Sequence, residues 1–211
     1  MPACPVCEQR TVRHFLHCQG GEYLRCDTCQ ATFLHPEQRP TAEREQDYYQ
    51  LHDNRVDDPG YRKFLSRLST PLLAVLPAAQ QGLDYGCGPG PALAVMLKEA
   101  GHDISLYDPL FRPDETALQR SYDFITCTEV VEHFHHPAEE FHRLHSLLRP
   151  GGILAIMTCF QTDDSRFANW QYRRDPTHVV FYREETFHYL ARQFGWRCEI
   201  PSKDVVLIFK P

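Results

Sequence analysis

Eight residues, Leu83-Asp84-Tyr85-Gly86-Cys87-Gly88-Pro89-Gly90, constrain this chain more than any other stretch. Leu83 to Tyr85 reads as a short strand, entered from a loop over residues 77–82. Residues Pro91 to Ala100 read as a helix. Its apolar positions are Leu93, Val95, Met96 and Leu97, and Gly101 sits where a C-terminal cap belongs. Three glycines at alternate positions thus separate a strand from a helix. Glycine permits a sharp turn and lets a ligand approach the backbone with no Cβ in the way. The helix behind offers free N–H groups and the positive end of its dipole. This order of elements predicts a nucleotide or nucleoside site in an α/β sheet. The spacing is G-x-G-x-G, not the dinucleotide fingerprint G-x-G-x-x-G. For the loop alone, an ordinary glycine-rich turn is the alternative.

The rest of the sheet follows from apolar runs. Asp103 to Tyr107 is the next strand, and Asp108 at its end places a carboxylate where ribose hydroxyls can donate to it. Tyr122 to Cys127 is the following internal strand, and only residues 109–121 lie between the two. A parallel crossover takes about 10–12 residues by itself. There is room for one crossover, so a third strand is expected to be vestigial or absent. Pro137 opens a helix with Phe141, Leu144 and Leu148 inward, ending at Arg149-Pro150-Gly151-Gly152. Ile153 to Met157 is a continuous apolar run, as for a strand buried on both faces. A helix from Arg183 to Gly195 turns Phe187, Leu190, Ala191 and Phe194 inward. Trp196–Ile200 and Val205–Phe209, joined by Pro201-Ser202-Lys203-Asp204, form an antiparallel hairpin.

Two further pairs of residues mark the N-terminus. Cys4-x-x-Cys7 and Cys26-x-x-Cys29 have the spacing of a two-knuckle zinc ribbon, with Val12–His17 and Glu22–Arg25 as hairpin strands around Gly20-Gly21. Four thiolates complete a closed tetrahedral site, which is structural and not catalytic. So short a segment buries little core, so the metal supplies its folding free energy. A redox dithiol or unliganded thiols are the alternatives, and His14, His17 and Cys18 are competing ligands. The chain carries nine cysteines in 211 residues, an odd number, and no export signal, so a reducing cytoplasm is expected over a disulfide scaffold. No apolar run reaches membrane-spanning length. A net charge of −6 argues against a large nonspecific nucleic-acid footprint.

Between the ribbon and the sheet, Asp58-Pro59 starts a helix with Phe64, Leu65 and Leu68 on one stripe, and Thr70-Pro71 restarts or kinks it. Tyr48-Tyr49, ahead of Leu51-His52-Asp53-Asn54, form either a lid or packing at a domain joint. The organisation is therefore a zinc ribbon over 1–36, a helical connector or lid over 37–79, and a Rossmann-like domain over 80–211.

Together, LDYGCGPG, LYDP, FITCTEVVEHFHHP, LLRPGG and the terminal hairpin resemble a class I S-adenosylmethionine-dependent methyltransferase across residues 80–211. The resemblance implies an α/β fold with a mostly parallel, Rossmann-like sheet and an antiparallel last strand. It implies S-adenosylmethionine as cosubstrate. By position, Gly86, Cys87, Gly88 and Gly90 would lie against its methionine and ribose parts, Asp84 would help hold the amino group, and Tyr107 and Asp108 would meet the ribose. Thr128, Glu129 and His133 would line the pocket beside the sulfonium. The family grips adenine with residues after the third strand, so the adenine site here is expected to be built differently. The N-terminal segment is similar to the small zinc domains that precede some sugar and ribosomal-RNA methyltransferases.

Methyl transfer is an in-line displacement, so positioning and desolvation dominate. A hydroxyl or amine acceptor is helped by a general base, for which Glu129, His133 and His178 are candidates. His178 sits in a loop with Trp170, Arg173 and Arg174, which suggests acceptor recognition; ordering of the loop through backbone hydrogen bonds is equally expected. His133, His135 and His136 read as cap and solvent more than as a metal set, and His142 and His145 as exposed. Arg166, Arg173, Arg174 and Arg183 either draw an anionic substrate or are solvated charge. The acceptor class stays open among small molecule, RNA and protein, as does the oligomeric state. A binding module, with the ribbon recognising a partner on a degenerate non-catalytic scaffold, is the second reading.

Overall fold

A computed structural model describes residues 1–49 and 55–211; the Leu51-His52-Asp53-Asn54 part of the connector lies outside the described residues. The chain begins with β1 (Val12–Cys18), β2 (Gly21–Cys26) and β3 (Thr32–Leu34), then α1 (Ala42–Tyr49) and α2 (Pro59–Leu73). β4 (Gln81–Tyr85), α3 (Ala92–Glu99), β5 (Asp103–Tyr107) and β6 (Tyr122–Thr128) follow. Then come α4 (Pro137–Leu147), β7 (Leu148–Met157), β8 (Val180–Phe181), α5 (Glu184–Phe194), β9 (Arg197–Ser202) and β10 (Val205–Phe209).

Six strands make the central sheet, in the order β5-β4-β6-β7-β10-β9. β5, β4, β6 and β7 are parallel, and β10 runs antiparallel between β7 and β9. Alternation along the strands feeds two cores. Phe124, Ile153, Ala155, Met157, Val205 and Leu207 face Leu65, Leu68 and Leu72 of α2 and Leu93 and Leu97 of α3. Ile125, Cys127, Leu154, Ile156, Val206 and Ile208 belong to the other core, with Phe141 and Leu144 of α4 and Phe187 and Leu190 of α5. Gly195, left-handed at φ 69°, caps α5 where the sequence placed it.

The expected gap is present. Among the described residues, no strand lies between β5 and β6: the crossover holds one short 3₁₀ segment, Glu115–Gln119, and a lone bridge from Asp108 to Arg112. β5 is therefore an edge of the sheet.

Several elements differ from expectation. β4 starts at Gln81, inside the expected loop, and β9 runs on through Pro201 to Ser202. β7 starts at Leu148, not Ile153: Leu148 pairs with Tyr122, and Pro150-Gly151-Gly152 forms an irregularity in the strand before Ile153 pairs with Phe124. Gly151 is left-handed (φ 77°), and a Cβ on Gly152 would come within 2.9 Å of the Arg149 carbonyl, so only glycine fits this kink. α2 runs through Pro71 without a break and ends two residues later, at Leu73, so the proline costs the helix one backbone bond near its end. Its start is as expected, with the Asp58 carboxylate accepting from the Tyr61 N–H at 2.6 Å.

A second sheet, β1-β2-β3-β8, joins the N-terminal hairpin to the rest of the chain. β3 pairs with β8, which precedes α5 directly.

Candidate active site and cysteine cluster

The glycine loop is tied to the neighbouring strand by its backbone. The N–H groups of Gly86 and Cys87 donate to the Tyr107 carbonyl at 2.8 and 3.2 Å. Gly86 is left-handed (φ 75°), and a Cβ there would lie 2.5 Å from Val130 Cγ2. Asp108 holds the loop from the far side. Its Oδ2 accepts from Gly88 N–H at 3.0 Å, and its Oδ1 accepts from Leu110 and Phe111 N–H, each at 2.9 Å. A carboxylate has about four acceptor positions, so one position on Oδ2 is left for a ligand hydroxyl.

The loop forms one wall of a cavity of about 1030 Å³ at the carboxyl ends of β4, β5 and β6. Of the residues singled out in the sequence, Gly86, Cys87, Gly88, Tyr107, Asp108, Thr128, Glu129, His133 and His178 line it. Asp84 and Gly90 do not. Asp84 lies beneath the loop, 4 % exposed, with its Oδ1 accepting from Thr126 Oγ1 at 2.8 Å. Burial, against that hydrogen bond and with the Asp108 charge nearby, pushes its pKa up to about 6. Glu45, Tyr48 and Tyr49 of α1 and Tyr61 and Phe64 of α2 also line it, so the connector contributes to the cavity. His135 Nε2 meets Glu45 at 2.8 Å and ties α1 to the segment after β6.

The end of β6 carries the chemistry. Glu129 is left-handed (φ 53°), and its N–H donates to the Met157 carbonyl at 2.8 Å. Desolvation pushes its pKa up to about 7; the Tyr172 hydroxyl opposes this, Asp204 adds to it and Arg67 offsets it. Thr128 Oγ1 is buried with no hydrogen-bond partner. Glu132, three residues on, is fully buried. Its Oε2 accepts from Thr158 Oγ1 at 3.0 Å, while its Oε1 has no hydrogen-bond partner. Burial and the neighbouring Glu129 charge push its pKa well above the usual carboxylate range. His133 Nδ1 lies 3.0 Å from the Thr177 carbonyl and His178 Nδ1 2.7 Å from the Tyr172 carbonyl, and the two rings are 4.7 Å apart. His178 thus both orders its loop and faces the cavity. The sequence reading passed over Glu132, although it adjoins His133 and follows Glu129 by three residues.

The remaining basic and histidine residues divide. Only Arg174 of the four arginines lines the cavity. Arg173 is buried and donates to Gln19 and Tyr23 of the hairpin; Arg183 pairs with Asp164, and Arg166 with Asp163. His145 is half-buried, accepting from Trp196 Nε1 at 2.9 Å, and so is not exposed as the helix stripe suggested. The stripe could not reveal a partner 51 residues away.

Cys4, Cys7, Cys26 and Cys29 meet in one buried cluster with their sulfurs within 4.8 Å of one another. Sγ–Sγ distances are 3.6 Å for Cys4–Cys29 and 3.5 Å for Cys7–Cys26. Thiolates on one tetrahedral zinc are about 3.7 Å apart, so the cluster fits that ion. The two knuckles are alike: Glu8 N–H donates to Cys4 O and Gln30 N–H to Cys26 O, with Glu8 and Gln30 both left-handed. His14, His17 and Cys18 are not in the cluster. No disulfide joins any of the nine cysteines.

Comparisons with known proteins agree with this geometry. The family described as "Methyltransferase domain" matches residues 54–199. Two curated relatives are ubiquinone biosynthesis O-methyltransferases. That of Azotobacter vinelandii is 28% identical over 86 residues, 41% of this chain and 37% of the relative. That of Colwellia psychrerythraea is 31% identical over 88 residues, 41% of this chain and 35% of the relative. The matched stretch thus spans little more than a third of either. Among solved structures, magnesium protoporphyrin IX methyltransferase from Synechocystis PCC 6803 with bound S-adenosylhomocysteine superposes with a TM-score of 0.55 at 15% identity. That match covers 81% of this chain and 95% of the other. An O-methyltransferase family protein from Burkholderia thailandensis gives 0.50 at 15% identity, over 80% of this chain and 60% of the other.

Proposed function

The chain belongs to the methyltransferase-domain family, and we propose that it is an S-adenosylmethionine-dependent enzyme that methylates a hydroxyl oxygen of a small molecule. Glu129 carries this reading: it stands on the cavity wall at the end of β6 with its pKa raised to about 7. A base works best near the operating pH, and a hydroxyl acceptor, which must lose its proton, is helped by one. The aromatic walls, from Tyr48, Tyr49, Tyr61, Phe64, Trp170 and Tyr172, suit a small, partly apolar acceptor. The net charge of −6 disfavours a nucleic acid. The two curated relatives are named as O-methyltransferases, which points the same way. In this reading residues 80–211 are the catalytic sheet, 37–79 the connector that closes the cavity, and 1–36 a zinc ribbon.

The cosubstrate supplies an electrophilic methyl group on a sulfonium. Gly86 and Gly88 would give it a close backbone surface, Asp108 its remaining Oδ2 position, and Thr128 an unspent hydroxyl. Asp84 acts from beneath the loop. Glu129 takes the acceptor's proton. Tyr48, Tyr49, Tyr61 and Phe64 exclude water from above, which strengthens every charge interaction inside. Cys4, Cys7, Cys26 and Cys29 would hold a structural zinc as four thiolates.

The test is a methylation assay on a panel of hydroxylated aromatic compounds. O-methyl products are expected, with kcat rising as pH passes through about 7 and Glu129 ionises. Glu129→Gln should remove that limb and lower kcat by roughly 10²–10⁴-fold. Products methylated only on nitrogen or carbon, or a pH limb that survives in Glu129→Gln, would contradict it.

A further inference from the structure

The short crossover after β5 leaves one lobe of the cavity with no task in the scheme above. We propose that Glu140 and Arg143 of α4 read the edge of the cosubstrate's adenine base there, with Tyr85 positioning the Glu140 carboxylate and Tyr107 giving the base a ring to stack on. The inference rests on S-adenosylmethionine being the cosubstrate and goes beyond it by naming what recognises the base.

The lobe is made by what the sheet lacks. α3 packs against one face of β5, where Ile104 and Leu106 join its core. On the other face the crossover supplies one short 3₁₀ segment, with Ala117 buried there. That segment does not reach the cavity, which is lined at this end by Tyr85, Tyr107, Phe134, Glu140 and Arg143. Tyr107 immediately precedes Asp108, which meets the ribose in the reading above. The Tyr107 and Tyr85 rings are 5.1 Å apart, and the Tyr85 hydroxyl reaches Glu140. The lobe therefore runs from the residue beside Asp108 to α4.

Hydrogen bonds fix its polar end. Glu140 and Arg143 are three apart on α4 and share one side of the helix, while Phe141 and Leu144 turn into the core. Tyr85 is buried and donates its hydroxyl to Glu140 Oε2. Burial first, and then that hydrogen bond, push the Tyr85 pKa up, so the hydroxyl keeps its proton. Arg143 Nη1 donates to Glu140 Oε1 at 2.7 Å and to the Tyr85 oxygen at 3.2 Å. A carboxylate has about four acceptor positions, so Glu140 keeps one on each oxygen. Arg143 Nη2 and Nε have no hydrogen-bond partner among the described residues.

A carboxylate beside a guanidinium is an acceptor beside a donor. Adenine is the complement, because its N6 amino group donates and the neighbouring N7 accepts. A base with a carbonyl at position 6 would set oxygen against oxygen at Glu140. The Glu140 side chain is 20% exposed and that of Arg143 42%, so water competes for both. Discrimination is therefore expected at roughly tenfold, well short of the roughly 10⁴-fold of a dry polar site. Stacking on Tyr107 accepts any base, so it supplies affinity and not choice.

The experiment is calorimetric titration of the full, zinc-loaded chain with S-adenosylhomocysteine and with S-inosylhomocysteine, which carries a 6-carbonyl and an N1–H in place of the 6-amino group. The wild type should bind S-adenosylhomocysteine roughly tenfold tighter. Glu140→Gln can turn its amide N–H₂ toward the carbonyl. It should weaken the first ligand, strengthen the second and shrink the preference to about twofold or less. Tyr85→Phe removes the anchor of Glu140. It should weaken S-adenosylhomocysteine about threefold or more and leave the inosyl ligand unchanged. A merely structural role would weaken both ligands alike. Circular dichroism checks that each variant is folded, and the wild-type preference needs no variant. Equal affinities in the wild type, a preference that survives in Glu140→Gln, or a parallel loss of both ligands in that variant would overturn the assignment. If S-adenosylhomocysteine binds the wild type without preference, the base site alone fails; if neither ligand binds folded wild type, the cosubstrate reading fails with it.

Discussion

At the scale of the residue, the site is a set of acids held in unequal surroundings. Asp108 spends three acceptor positions on backbone N–H groups. Asp84 has one hydroxyl partner, and its pKa rises to about 6. Its folded pKa stands above the unfolded carboxylate value, so the folded state holds the proton more tightly. From that group alone, stability is greatest at low pH and falls as pH rises from about 4 through 6. Asp84→Asn removes this penalty. At pH 7.5 the variant should gain up to ~3 kcal/mol by denaturant unfolding, while binding S-adenosylmethionine more weakly. A variant less stable than wild type at pH 7.5 would show that the buried charge costs little. The sequence made Asp84, Asp108 and Glu129 legible because each follows or precedes a strand end. Glu132 was not legible, because its burial depends on Thr158 and on the segment after His178, which only folding brings together.

At the scale of the element, the strand–loop–helix unit was legible in order and type, with β4 starting two residues before Leu83 and α3 running from Ala92 to Glu99. Apolar runs and glycine spacing are local signals, and so is the short span that leaves no third strand. What was hidden is non-local: the register that starts β7 at Leu148, and the pairing of β3 with β8, far apart in the chain. The loop itself makes a sharp distinction between two glycines. Both are left-handed, but a Cβ on Gly86 meets Val130, whereas one on Gly88 meets nothing within 4 Å. Gly86→Ala should therefore destabilise the fold by roughly 2–4 kcal/mol, combining backbone strain and overpacking. Gly88→Ala should cost about 1–2 kcal/mol from strain alone. Val130→Ala placed with Gly86→Ala should recover part of the larger loss. Equal costs for the two glycines would mean that the Val130 contact has no weight.

At the scale of the molecule, the hairpin at the N-terminus is built into the body that holds the site. β3 pairs with β8, Leu34 N–H donates to the Val179 carbonyl, and Ala138 N–H at the start of α4 donates to the Pro5 carbonyl. Arg25, nearly wholly buried, reaches Asp164, and Arg173 reaches back to Gln19. His178 immediately precedes the segment that the hairpin holds. Loss of the zinc proposed for the cysteine cluster should therefore be felt in the cavity. Cys29→Ala should lose zinc and lower Tm by roughly 10 °C or more, since metal-binding free energy in such segments is folding free energy. It should also weaken cosubstrate binding, although Cys29 does not line the cavity. A variant with unchanged Tm would mean that the cysteine cluster supports nothing beyond itself. The most direct measurement on the whole protein is calorimetric titration with S-adenosylmethionine and S-adenosylhomocysteine, on wild type and on Asp108→Ala. Saturable binding by the wild type, lost in the variant, is the predicted result: a six-stranded sheet lacking the third strand still carries a working cosubstrate site. Folded, zinc-loaded wild type that binds neither ligand would contradict it.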